Sequence, residues 1–168
     1  MTRQEALEKL LTAHSGYYTI NRENPSAPFA AEAEFRLHDE QFFLIRSAKI
    51  SEVDSREYVF FALTDTLDPE TFRKLEETAW KTGLSRVELT AFHRNSDVSL
   101  YILAERIPAE VRRMVKKSRR YKSYRFGLQG WSASRLLAWD LSDNTVVHNA
   151  RGSNLRQVTD SIMRQQQT

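Results

Sequence analysis

The chain has 168 residues, 25 Lys and Arg against 22 Asp and Glu, and no cysteine, for a net charge of +3. That length suits one domain with a sizeable core, and the cysteine count excludes disulfides, thiolate metal sites and cysteine nucleophiles. No apolar run approaches the ~20 residues of a membrane span, and the charged opening Met1-Thr2-Arg3-Gln4-Glu5 lacks a signal-peptide core, so a cytoplasmic domain without a membrane partner is expected.

Thr2 and Glu5 form a capping box. Leu7, Leu10, Leu11 and His14 follow at helical spacing. The first helix is therefore predicted over 3–15, with Gly16 as its stop and His14 as a core histidine held by one hydrogen bond. Pro25 and Pro28 make 21–28 a loop. Residues 31–37 alternate, Glu32, Glu34 and Arg36 on one face and Ala33, Phe35 and Leu37 on the other, as in an edge strand with a wet side. A reversal at His38-Asp39-Glu40 leads to a second strand over 41–47, and Tyr58-Val59-Phe60-Phe61-Ala62-Leu63 lies within a third, 57–63. Runs this apolar on both faces call for helices on both sides of the sheet.

Asp68-Pro69-Glu70 announces helix two: N-cap, proline at the first position, acid in the first turn. Phe72, Leu75, Ala79 and Trp80 form its buried stripe and Gly83 its predicted end. Residues 86–92 and 97–105 read as a hairpin around Arg94-Asn95-Ser96, followed by a helix from Pro108 and a strand over 121–128. Residues 135–141 and 145–148 form another hairpin; Trp139 in it, like Trp131 before it, has either a partly exposed place or the more usual one in the core under the sheet. A last helix carries Leu155, Val158, Ile162 and Met163 on one face, with a tail frayed after 164. The order α-βββ-α-ββ-α-βββ-α predicts a single α+β domain spanning 1–168, a largely antiparallel sheet packed by about four helices.

Residues 111–139 contain no acid and nine bases, and the rest of the chain holds 16 bases against 22 acids. On a helix Val111, Met114 and Val115 make a narrow apolar stripe, and Arg112, Arg113, Lys116, Lys117, Arg119 and Arg120 a continuous cationic face. Tyr121, Lys122 and Arg125 extend it into the next strand. Cations interleaved with aromatic residues suit the phosphates and bases of nucleic acid. The same face equally suits an acidic protein surface, self-association by charge, or simple solvation. The apolar stripe lacks the bulky residues that let a helix enter a membrane surface.

There is no Gly-rich phosphate loop, Gly-x-Ser-x-Gly elbow, His-x-x-x-His pair or calcium-loop spacing. Neither a metal nor an organic cofactor is expected, and binding or assembly is favoured over catalysis. The alternative rests on Glu32, Glu34 and Asp65, with Asp54 and Asp68, near the ends of neighbouring strands. The opening order of helix, three strands and helix resembles the core of the restriction-endonuclease-like fold over about half the chain. That resemblance implies a magnesium-dependent nuclease using such carboxylates. The family's Glu-x-Lys is missing from 57–63, and no Pro-Asp opens the second strand.

Overall fold

The computed structural model describes residues 1–36, 54–91 and 93–166. Within them helix α1 spans Arg3–His14, β1 Thr19–Asn21, β2 Ala31–Arg36 and β3 Asp54–Thr66. Helix α2 follows over Pro69–Ser85, β4 over His93–Arg106, α3 over Ala109–Lys117 and β5 over Tyr121–Ser123. A 3₁₀ turn at Arg125–Gly127 precedes β6 (Trp131–Asp140), β7 (Thr145–His148) and α4 (Ser153–Gln165). The class is α+β: four helices and a seven-stranded mixed sheet among the described residues. The sheet runs β1-β2-β3-β4-β6-β5, with β7 also on β6. Its two central pairings, β3 with β4 and β4 with β6, are parallel, and the other four are antiparallel.

Local chemistry places the helices. Thr2 and Glu5 make the capping box reciprocally, and Asp68 accepts the Thr71 N–H at 2.7 Å with Pro69 in the first turn. Alternation in the strands then sorts the core into two layers. Tyr58, Phe60, Ala62, Leu100, Ile102, Leu136 and Ala138 pack with α2 and α3. Val59, Phe61, Tyr101, Leu103, Leu137 and Trp139 pack with α1 and α4. The expected cover on both faces is therefore present.

Several predicted elements differ. Residues 87–91 form no strand, and Phe92, like the predicted reversal at 38–40 and strand over 41–47, lies outside the described residues. Instead of a hairpin, α2 carries the chain back to the starting end of β3, so β4 pairs parallel to it. The turn-like Arg94-Asn95-Ser96 is absorbed into β4, where Asn95 bonds Ser55 and Asp97 at 2.9 Å each, beside a register shift. Helix α3 stops at Lys117, because Ser118 is extended, and Arg119 and Arg120 leave the predicted helical face. The predicted strand over 121–128 ends at Ser123, and beyond it Phe126 and Leu128 stand exposed. Strand β6 starts at Trp131, four residues before the predicted 135. Trp139 is wholly buried, its indole N–H donating to Asn144 Oδ1 at 2.8 Å. Strand β2 is an interior strand, because the unpredicted β1 covers its edge.

Gly83 does not end α2, which continues to Ser85. Its role is close packing: a Cβ here would lie 2.5 Å from Val98 Cγ2 and 2.8 Å from Cγ1. Gly to Ala in a helix interior ordinarily stabilises by about 1 kcal/mol, but valine is stiff at χ1 and overpacking costs about 1–3 kcal/mol. Gly83→Ala is therefore expected to lower the urea midpoint, and the added Val98→Ala to recover part of the loss. A higher midpoint for Gly83→Ala alone contradicts the packing argument.

Candidate anion-binding notch at the sheet edge

One edge of β6 is covered by β4, and two short strands share the other. Strand β5 pairs with Trp131 to Ala133 and β7 with Leu137 to Asp140. Between them the backbone of residues 134–136 needs other partners. Arg120 supplies its carbonyl to the Ser134 N–H at 2.9 Å. Asn149, almost wholly buried, does the rest. Its backbone N–H donates to Leu136 O at 3.0 Å, and its side-chain Oδ1 accepts the Leu136 N–H at 3.0 Å. Its Nδ2 donates to Ser134 O at 3.0 Å and Ser118 O at 3.2 Å. The side-chain amide thus stands in for a missing strand.

Above this plug lies an open cavity of about 480 Å³, lined by Ser118, Arg119, Arg120, Tyr121, Ser134, Asn149, Ala150 and Arg151. Its cations differ in what holds them. Arg120 forks onto Glu76 of α2, Nε to Oε1 at 2.5 Å and Nη2 to Oε2 at 2.9 Å. Arg119 and Arg151 are exposed, and among the described residues no carboxylate pairs with either. The Arg151 guanidinium lies 5.7 Å over the half-exposed Tyr121 ring. Directly after it, α4 begins without a side-chain cap or an acid in its first turn, which leaves the positive end of the helix dipole uncompensated.

The nine bases of 111–139 are dispersed by the fold. Arg112 is held by Asp140 at 2.7 Å and Asp143 at 2.8 Å, and bonds Ile107 O. It fastens the start of α3 to the end of β6. Buried Asp140 also accepts the Ile107 N–H and both donors of Ser142. Burial works to raise that carboxyl, but these bonds and Arg112 hold it below its ordinary range. Arg113, Lys116 and Lys117 stay exposed on α3, as do Arg119, Tyr121, Lys122 and Arg125 beyond it. Arg151 was missed because it stands outside the basic run; its position opening the last helix was the available signal.

The carboxylates of the nuclease alternative are not gathered. Glu32 is buried, not wet: Arg86 Nη1 donates at 3.0 Å and Nη2 at 3.1 Å, and the Ser26 N–H at 2.8 Å. Burial works to raise it, but these donors win and hold it low. Glu34 lies two residues on, opposite Tyr58. Asp65 is five residues along β3 from Phe60, the partner of Glu32, roughly 17 Å away along a strand. It is exposed and bonds Arg3 at 2.7 Å. Asp68 caps α2. Among the described residues no three His, Asp or Glu side chains cluster as metal ligands would.

A second polar centre was unforeseen. Glu57 and Asp97 are register partners on adjacent parallel strands, both buried. Glu57 accepts from Tyr18 Oη and Ser99 Oγ, each at 2.5 Å. Arg135 on β6 reaches Glu57 at 3.6 Å and Asp97 at 2.8 Å. Burial pushes the Asp97 carboxyl up, against the pull of Arg135. Burial, and then the Glu57 charge, push the Tyr18 phenol far up. The groups satisfy one another, and the centre braces three strands. Beside it His14 is buried against Tyr18, Phe61 and Tyr101, its Nδ1 bonded to Leu10 O at 2.7 Å.

A mixed sheet with helices on both faces, notched at one edge between β5 and β7, defines an α+β protein. The chain belongs to the family described as Domain of unknown function (DUF8052), whose model matches residues 2–161. No curated protein and no solved structure matches it.

Two outcomes follow from the buried centre. Arg135→Leu strands two buried carboxylates and is expected to cost about 3 kcal/mol at pH 7. Burial already pushes the Asp97 carboxyl up, and without the opposing pull of Arg135 it titrates above its unfolded value, so the loss shrinks as pH falls toward 5; a pH-independent loss in urea melts contradicts the pairing. Burial lowers His14 below its ordinary 6.5. Its contribution is therefore full above 6.5 and lost as pH falls through the depressed value. Between pH 7 and 5 the wild type should lose more stability than His14→Gln, read as the difference between their urea midpoints.

Proposed function

We propose that the protein binds a polyanion, nucleic acid above all, without catalysing its reaction. The observation that carries this reading is the pairing pattern at the notch. Arg112, Arg120 and Arg135 are each taken by carboxylates, whereas Arg119 and Arg151 flank an accessible tyrosine with no carboxylate partner among the described residues. Unpaired guanidinium groups bind phosphate in a forked geometry. Lys116, Lys117, Arg113, Lys122 and Arg125 widen the positive field around them. The rest of the chain is acidic in balance, which favours one alternative occupant, the acidic surface of another protein or of a second copy.

Fluorescence anisotropy with labelled oligonucleotides across a salt series tests the reading. Contact with about five phosphates gives a log–log slope near −3.5 for single strands or −4.5 for duplex. Arg119→Gln with Arg151→Gln should weaken binding for all sequences alike and reduce that slope by up to ~2, with unchanged urea melts. Arg112→Gln is the contrast, expected to destabilise the fold. No binding at 50 mM salt and tens of micromolar protein removes the reading. Sedimentation that shows dimers at low salt and monomers at 0.5 M, a Debye length of about 4 Å, assigns the surface to self-association instead.

A further inference from the structure

Five residues beyond Tyr121 the chain makes a turn that displays apolar side chains. Arg125 and Phe126 have φ of 46° and 54°, left-handed values that side-chain-bearing residues rarely adopt. The turn is rigid. Tyr124 O accepts the N–H groups of Gly127 at 3.0 Å and Gln129 at 3.2 Å, and the Tyr124 N–H donates to Gly130 O at 3.0 Å. Below it, buried Tyr124 bonds Ser132 at 2.8 Å, and His93 Nδ1 bonds Gln129 O at 2.6 Å. Gly130 sits so close to β4 that a Cβ would lie 1.8 Å from Arg94 O. This braced frame holds Phe126 fully exposed and Leu128 nearly so. A strained, anchored turn that exposes apolar groups is the signature of a contact surface.

We infer that the polyanion is a single-stranded nucleic acid running from the notch along the edge strand β5 to this turn, its unpaired bases stacking on Tyr121 and Phe126. The inference rests on the reading of the notch given above and adds the strandedness of the ligand. Cations and exposed aromatic rings interleave along this path: Arg119, Tyr121, Lys122, Arg125, Phe126. Such alternation follows a backbone with charges while offering π-faces to bases that a duplex keeps stacked. Helix α3 offers a duplex only Arg113, Lys116 and Lys117, side chains that hold phosphates but, on nine residues without Asn or Gln, read little in a groove. An anionic bilayer could receive Phe126 and Leu128, but it leaves the tyrosine in the notch without a role.

The test uses the full chain, a labelled oligothymidylate and a labelled duplex, at 50 mM salt. The single strand should bind at least about tenfold more tightly. Phe126→Ala should weaken it by about fivefold or more, the loss of one stacked base, with the salt slope unchanged. Phe126→Trp should restore it. Phe126→Gly separates structure from function: glycine tolerates the positive φ, so the urea midpoint should not fall while binding does. Equal affinity for duplex, or a neutral Phe126→Ala, overturns the single-strand inference and leaves the notch reading intact if the salt slope persists. Absence of binding to either oligonucleotide overturns both. Phe126-dependent sedimentation with phosphatidylserine vesicles, without oligonucleotide binding, assigns the turn to a membrane surface and also overturns the inference.

Discussion

Strand β4 has no wet face for most of its length. Every residue from 96 to 104 is buried, and its two edges are occupied by β3 and β6. A strand so enclosed needs helices above and below and parallel neighbours reached by crossovers. Helix α2 provides the first crossover, from β3, and α3 with β5 the second, to β6. The basic helix is therefore a structural connection before it is anything else. Its Val111 and Val115 are wholly buried beneath the sheet.

The enclosure also dictates how polar groups near the start of β4 are handled. Asp97 and Ser99 are buried, so their partners come from the neighbouring strands and, for Asp97, also from Asn95 of β4 itself. Glu57 lies in register with Asp97, and the two carboxylates would repel without a cation beside them. Arg135, from β6, supplies it. The same arginine looks, in the linear chain, like one more member of a basic run. Position across the sheet decides its role.

The notch has an equally simple origin. Strand β6 is ten residues long, and the two strands on its outer edge are three and four residues long. The uncovered length must be closed by side-chain chemistry, and Asn149 closes it with both ends of its amide. What remains outside is a recess whose walls are the segments entering β5 and leaving β7, and both carry arginine. A gap in a sheet edge is a liability when open and apolar; here it is plugged by an amide and ringed by charge.

Much of this architecture could be read directly from the chain. Thr2-Arg3-Gln4-Glu5 and Asp68-Pro69-Glu70 specify helix starts through hydrogen bonds made within four residues. The apolar runs around Phe60 and Ile102 demand burial on both faces whatever their neighbours. The α+β class and the stripes of α2 and α4 follow from such local rules. What only the tertiary structure decided was partnership. Periodicity gives the face on which Arg112, Glu32 or Arg135 lies, but not that Asp140, Arg86 or Asp97 stands opposite, because those contacts cross 28 to 54 residues of sequence. The turn at Phe126 was hidden for a related reason. Its alternation reads as a strand, and the left-handed backbone there is imposed by Gly130 against Arg94 and by His93 on Gln129. Which arginines of the basic run are tied to carboxylates is decided by those long-range pairings, which bring together residues far apart in the chain.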